Sequence, residues 1–67
     1  MSTFANILKE IPKRRGNKDA AHILWGASMA LAAAGIIKPE TADMAKTLLI
    51  AGREESVAIM LDKALDK

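Results

Sequence analysis

The fold is decided by one stretch of the chain, KDAAHILWGASMALAAAGIIKPE at residues 18–40. Between its charged ends this stretch is apolar except for two polar side chains. Asn17 or Asp19 is expected to cap the start of a helix, and the charge of Asp19 is favourable there because of the helix dipole. Gly35 can take the left-handed conformation that ends a helix. We therefore predict a helix over about residues 18–35.

The apolar residues of this helix cover its whole circumference. Leu24 and Leu31 fall on one side of the helix, and Trp25 and Met29 fall on roughly the opposite side. A helix that is apolar on every side is normally buried on every side. One partner helix from the same chain would not cover it, so we expect further contacts with a second molecule. A strip of small residues lies between the two sides and consists of Gly26, Ala30 and Ala33.

A second helical segment begins at Pro39, because proline suits the first position of a helix, where an N–H group has no partner. Gly52 interrupts this segment, and as a helix C-cap it would divide the segment into helices over 39–51 and about 54–66. The apolar stripe continues through Gly52 in helical phase, which favours one continuous helix. Residues 18–67 are therefore predicted to form a helical hairpin.

Residues 1–17 are predicted to form an amphipathic helix followed by a basic connector. Ser2 or Thr3 is expected to cap the helix, and Pro12 ends it. The connector from Lys13 to Asn17 contains a flexible glycine and is expected to be loosely held. The apolar stripe of the helix consists of Phe4, Ile7, Leu8 and Ile11.

The length of 67 residues predicts a single small helical domain over 1–67, whose core is marginal without additional stabilisation. The sequence contains no cysteine and one histidine, which excludes disulfides, and neither a metal site nor a cofactor is expected. Oligomerisation is the remaining means of stabilisation. We predict an all-α fold in which a short N-terminal helix precedes the hairpin, and two chains dimerise into a four-helix bundle. The expected dimer core consists of Leu24, Leu31, Leu48, Leu49, Ile59 and Met60.

No arrangement of residues identifies a catalytic chemistry, and the chain is predicted not to be an enzyme. His22 has no nucleophile at a spacing that would place both on one helix face. The acidic pairs Glu54/Glu55 and Asp62/Asp66 are interpreted as exposed helix faces. A helix-turn-helix motif is disfavoured because Glu40 and Glu54 open the candidate recognition helices and would repel phosphate.

The net charge of +2 is unevenly distributed along the chain. Residues 1–18 contain five basic residues and one acidic residue, whereas the remainder is net acidic. No secretory signal pattern precedes the amphipathic helix, and the alanine-rich apolar run at 20–37 is borderline in length for a transmembrane helix. We therefore expect a cytoplasmic protein.

These features favour a small protein-binding regulator, a stoichiometric inhibitor or adaptor of a larger protein of the kind that bacteria and phages encode. It would bind through apolar helix surface and the basic N-terminal arm. One alternative is a dimeric helical bundle that binds nucleic acid, and another is a small protein associated with a membrane surface. The expected partner contacts are Phe4, Ile7, Arg14, Arg15, Trp25, Val57, Leu61 and Leu65.

Overall fold

A computed structural model describes residues 3–12, 14 and 16–66. Within these residues the chain forms four α-helices and no strand, which confirms the all-α prediction. The helices are α1 at Thr3–Glu10, α2 at Asp19–Ala33, α3 at Pro39–Ile50 and α4 at Glu54–Leu65.

The turn between α2 and α3 follows the prediction from the sequence. Gly35 has a φ of +77°, in the left-handed region that glycine adopts without steric cost. The Ile36 amide donates to the Leu31 carbonyl at 2.9 Å, and the Gly35 amide donates to Ala32 at 3.1 Å. This pair of hydrogen bonds is a Schellman motif, which pairs the last carbonyls of α2. Pro39 then occupies the first turn of α3, as expected.

The prediction of one continuous helix through Gly52 is wrong. Gly52 has a φ of +80°, and the Arg53 amide donates to the Leu48 carbonyl at 2.9 Å in a second Schellman motif. A continuous helix over residues 39–66 would be roughly 40 Å long, about twice the length of α2. The break lets both halves pack on the same core, and for this reason their apolar residues stay in phase across Gly52.

The core is built mainly from α4 and its neighbours. α4 packs against each of the other three helices, and α2 also packs against α3. Two residues of α4, Val57 and Leu61, are completely buried within the chain. The buried apolar residues are Leu24, Ile37, Ala42, Ala45, Leu49, Val57, Ala58 and Leu61.

The helical hairpin is therefore replaced by a three-helix arrangement of α2, α3 and α4, with α1 docked on α4. The expected bundle of two hairpins depended on the continuous helix, so its geometry needs to be revised. Dimerisation remains a prediction, but its units are four-helix domains that each have a core of their own.

Two glycine substitutions should have opposite effects on stability. Gly52→Ala places a side chain in the left-handed region and should lower the free energy of unfolding by about 1 kcal/mol. Gly26 lies inside α2, so Gly26→Ala should raise the free energy of unfolding by about 0.5–1 kcal/mol. An added Cβ meets nothing within 4 Å at either position, so the backbone conformation alone sets the sign.

Urea unfolding followed by circular dichroism measures both effects, at protein concentrations low enough to keep the chain monomeric. A Gly52→Ala variant as stable as the original protein would contradict the break between α3 and α4.

Candidate functional site

The carboxylate of Asp62 caps the N-terminus of α1 from a distant part of the chain. The Phe4 amide donates to Oδ1 at 2.9 Å, and the Ala5 amide donates to Oδ2 at 3.2 Å. Asp62 lies in α4 and is only 7% exposed. These two amides would otherwise lack a partner in the first turn of α1, where the helix dipole also favours a negative charge. One side chain thus holds α1 on α4.

This contact corrects two expectations from the sequence. Asp62 is buried rather than on an exposed helix face, and the amides of Phe4 and Ala5 are paired by this carboxylate rather than by Thr3. The expected cap at Ser2 lies outside the described residues. One feature of the sequence indicates that Asp62 is buried. It follows Leu61 in a helix whose apolar residues cover most of the circumference. An acid in such a place needs a hydrogen-bonding partner when it is buried.

A groove of about 890 Å³ opens between α1 and α4 at the end opposite Asp62. The C-terminal half of α1 and the N-terminal half of α4 form its two walls, so α1 runs antiparallel to α4. We call this feature the α1–α4 groove. Its apolar lining consists of Ala5, Leu8, Ile11, Ala20, Ala58 and Ile59.

Three basic residues line the same groove from three different elements. Lys9 lies on α1, Arg14 on the connector and Arg53 at the turn that precedes α4. None of the three forms an ion pair with another described residue, and we call them the basic rim. Two acidic residues also line the groove. Glu54 is half-buried in the first turn of α4, where the helix dipole stabilises it, and Glu55 has an interaction of its own.

The side chain of Asn17 forms hydrogen bonds at both ends of the connector that carries Arg14. The Asn17 amide group donates to the Pro12 carbonyl at 2.8 Å, and its oxygen accepts from the Asp19 amide at 3.0 Å. The Asn17 backbone amide also donates to the Arg14 carbonyl at 3.0 Å. Of the connector that was expected to be loosely held, Arg14 and Asn17 are thus joined by a hydrogen bond, whereas Lys13 and Arg15 lie outside the described residues. Asn17 pairs the first amide of α2 from one position before the N-cap residue, Lys18.

A second surface lies on α2, and we call it the α2 outer face. It is exposed and uncharged, and Trp25 lies half-buried beside it with the Lys46 ammonium 5.5 Å from the ring centroid. The α2 outer face consists of His22, Ile23, Gly26, Met29, Ala30 and Ala33.

The expected partner contacts do not form one site. Val57 and Leu61 are corrected to core residues, because no partner can reach them in this structure. Arg14 is exposed on the basic rim, and Arg15 lies outside the described residues. Trp25 lies beside the α2 outer face. The remaining three are half-buried in α1 or α4 and are Phe4, Ile7 and Leu65.

Most of the residues expected in a dimer core are buried in the core of the single chain or pack against it. Leu24 and Leu49 are buried in the chain's own core, which replaces their expected role between two chains. Ile59 is 53% exposed and lines the α1–α4 groove. The other three are half-buried and pack against the core of the chain, and they are Leu31, Leu48 and Met60.

His22 is exposed on α2, while the Ser28 hydroxyl is buried and donates to the Leu24 carbonyl at 2.8 Å. In the described part of the chain, no cluster of three or more potential ligand side chains could hold a metal ion. No helix among the described residues combines the length and hydropathy needed to cross a bilayer. Comparison of the chain with protein-family models, curated proteins and solved structures found no match.

Removal of the Asp62 carboxylate should undock α1. Asp62→Ala leaves two amides without a partner and should lower the free energy of unfolding by about 1–2 kcal/mol. Asp62→Asn keeps one acceptor oxygen but loses the charge, so its effect should be smaller. Asp43→Ala, on the exposed side of α3, is the matched control.

Urea unfolding and amide hydrogen exchange test this contact together. The amides of Phe4 and Ala5 should lose protection in the Asp62 variants and keep it in the control. Equal stability of Asp62→Ala and Asp43→Ala would show that the carboxylate does not hold α1.

Proposed function

We propose that the chain is a small non-enzymatic regulator that binds a larger protein in a stoichiometric complex and associates with itself through the α2 outer face. The observation that carries this proposal is the exposure of an uncharged helix face. Ile23 is 44% exposed and Met29 is 50% exposed, and Ile36 beyond the end of α2 is 49% exposed. Contiguous exposed apolar surface normally marks a site of protein interaction.

The surface area of the chain supports self-association. Its accessible surface is 4755 Å², whereas a folded monomer of 7.2 kDa is expected to expose about 4,100 Å². The flattened shape, 33 × 23 × 15 Å, accounts for the excess of several hundred square ångströms. A stable interface buries about 800 Å² of each partner, and a flattened domain offers a broad face for such a contact.

The small residues of α2 suit contact with a second copy. Gly26, Ala30 and Ala33 lie exposed between larger apolar neighbours and would allow a second helix to approach closely. A face-to-face contact of two α2 helices would cover Ile23 and Met29 on both copies. The proposed dimer therefore joins two four-helix domains and leaves the α1–α4 groove of each copy open.

The placement of the polar side chains supports a role other than catalysis. The buried Ser28 hydroxyl donates to the Leu24 carbonyl within α2, whereas His22 is exposed. Phe4 and Leu8, on which the membrane-surface alternative depended, pack against the core.

Self-association should depend on a single exposed alanine. The original chain is expected to sediment at twice its mass of 7.2 kDa, with a monomer appearing on dilution. Ala30→Lys places a charge in the centre of the α2 outer face and should yield a monomer with unchanged helicity. Ala51→Lys changes another exposed alanine, after α3, and should remain dimeric.

Analytical ultracentrifugation of the three proteins over a range of concentrations provides the test. A monomeric original chain at every concentration would contradict the proposed self-association.

Binding of a larger protein should survive removal of nucleic acid. The tagged chain is expected to retain one protein from a lysate of its source cells at a fixed ratio, with and without nuclease. Protein binding driven by apolar contact should also survive moderate salt, whereas binding through phosphate weakens steeply.

Arg14→Ala and Ile59→Ser are the variants for this assay, and Lys38→Ala is the control because Lys38 is exposed outside the groove. Recovery of nucleic acid, with all protein bands lost on digestion, would replace the proposed function by nucleic-acid binding. Retention only on anionic vesicles would replace it by membrane association.

A further inference from the structure

We propose that the α1–α4 groove binds an acidic amphipathic helix of the partner protein. This inference rests on the proposed function and specifies the chemistry of the partner segment. It combines three features of the groove, namely its dimensions, its apolar lining and the positive charge of its basic rim.

The groove has the dimensions of a helix-binding site. α1 and α4 run antiparallel and form its two walls, and a third helix can lie between two such neighbours with its side chains in their grooves. A helix is about 10 Å in diameter with its side chains. The volume of about 890 Å³ therefore accommodates roughly two turns of a helix.

The lining explains why the occupant should be amphipathic. Leu8, Ile11 and Ile59 present apolar surface, and Ile59 is still 53% exposed. The alanines between them are small, which keeps the centre of the groove open to side chains of an occupant. An apolar stripe of a partner helix would remove this surface from water, as amphipathic helices do in other protein grooves.

The basic rim explains why the occupant should be acidic. Lys9, Arg14 and Arg53 come from three elements and have no ion-pair partner among the described residues. Two acids, Glu54 and Glu55, line the groove beside these three basic residues, so the charged lining is net positive by one. Carboxylates along both edges of a bound helix would therefore meet net positive charge.

The hydrogen bonds of the connector favour a defined site over a diffuse electrostatic one. Asn17 joins Pro12 to the start of α2 through its side chain, and its backbone amide donates to the Arg14 carbonyl. The backbone of Arg14 is thereby held at the groove before any partner binds. An arginine on a fixed backbone loses less freedom on binding than one on a backbone that must first become ordered.

The test uses a designed helical peptide as the probe, with leucines along one face and glutamates along both flanks. Two control peptides replace every glutamate by glutamine or scramble the order of the residues. Fluorescence anisotropy of labelled peptides with the original full chain gives the dissociation constants. The glutamate peptide should bind about tenfold more tightly than the glutamine peptide, because three exposed ion pairs together supply about that factor.

Variants of the chain separate the rim from the lining. Arg14→Ala combined with Arg53→Ala removes two of the three ion pairs, so it should weaken binding of the glutamate peptide about fivefold and leave the glutamine peptide almost unchanged. Ile59→Ser should weaken both peptides. Lys63→Ala is the control, because Lys63 is exposed on α4 outside the groove. All altered side chains are exposed, and circular dichroism should show unchanged helicity.

Equal binding of the glutamate and glutamine peptides, or full binding by the double variant, would overturn the proposal. Tighter binding of a mixed-sequence oligonucleotide at the same residues would overturn it in favour of nucleic acid. Self-association that depends on Arg14 and Arg53 would overturn it in favour of a second copy. A nuclease-resistant protein partner that the groove variants still retain would preserve the proposed function and exclude this groove as its site.

Discussion

The pairing of the Asp62 carboxylate with the first turn of α1 is the constraint on which the rest of the structure depends. α1 is short, and a helix of eight residues is not stable in water without tertiary contacts. The carboxylate pairs the amides of Phe4 and Ala5 and fixes the direction of α1 along α4. Leu8 and Ile11 then line the α1–α4 groove, and Lys9 joins the basic rim. A contact at one end of α1 thus creates the candidate site at its other end.

The elements that the sequence predicted correctly are those set by local chemistry. Gly35 and Pro39 determine the turn after α2 within a few residues, and the amphipathic stripe before Pro12 determines α1. Gly52 could be read in two ways from the sequence, because an apolar stripe stays in phase whether a helix continues or folds back onto the same core. Only the packing of α3 and α4 against common neighbours decides between them.

The candidate site was predictable only in part. The basic connector indicated Arg14, and the structure places it on the rim of the α1–α4 groove. Val57 and Leu61 appeared to be surplus apolar surface because the docking of α1 on α4 was not known. Asp62 was missed since its partners lie 58 and 57 residues away, beyond the reach of any local pattern. The α2 outer face follows directly from composition, because no charged residue occurs between Asp19 and Lys38.

The sequence separation of the Asp62 contact also sets the order in which the domain can be completed during synthesis. α1 is synthesised before the side chain that pairs its amides, and that side chain follows α2 and α3 in the sequence. Translation proceeds at about 5–20 residues per second, so the nascent chain spends several seconds without this contact. Throughout that interval α1 lacks the helix on which it docks, so the domain can close only after α4 has been made.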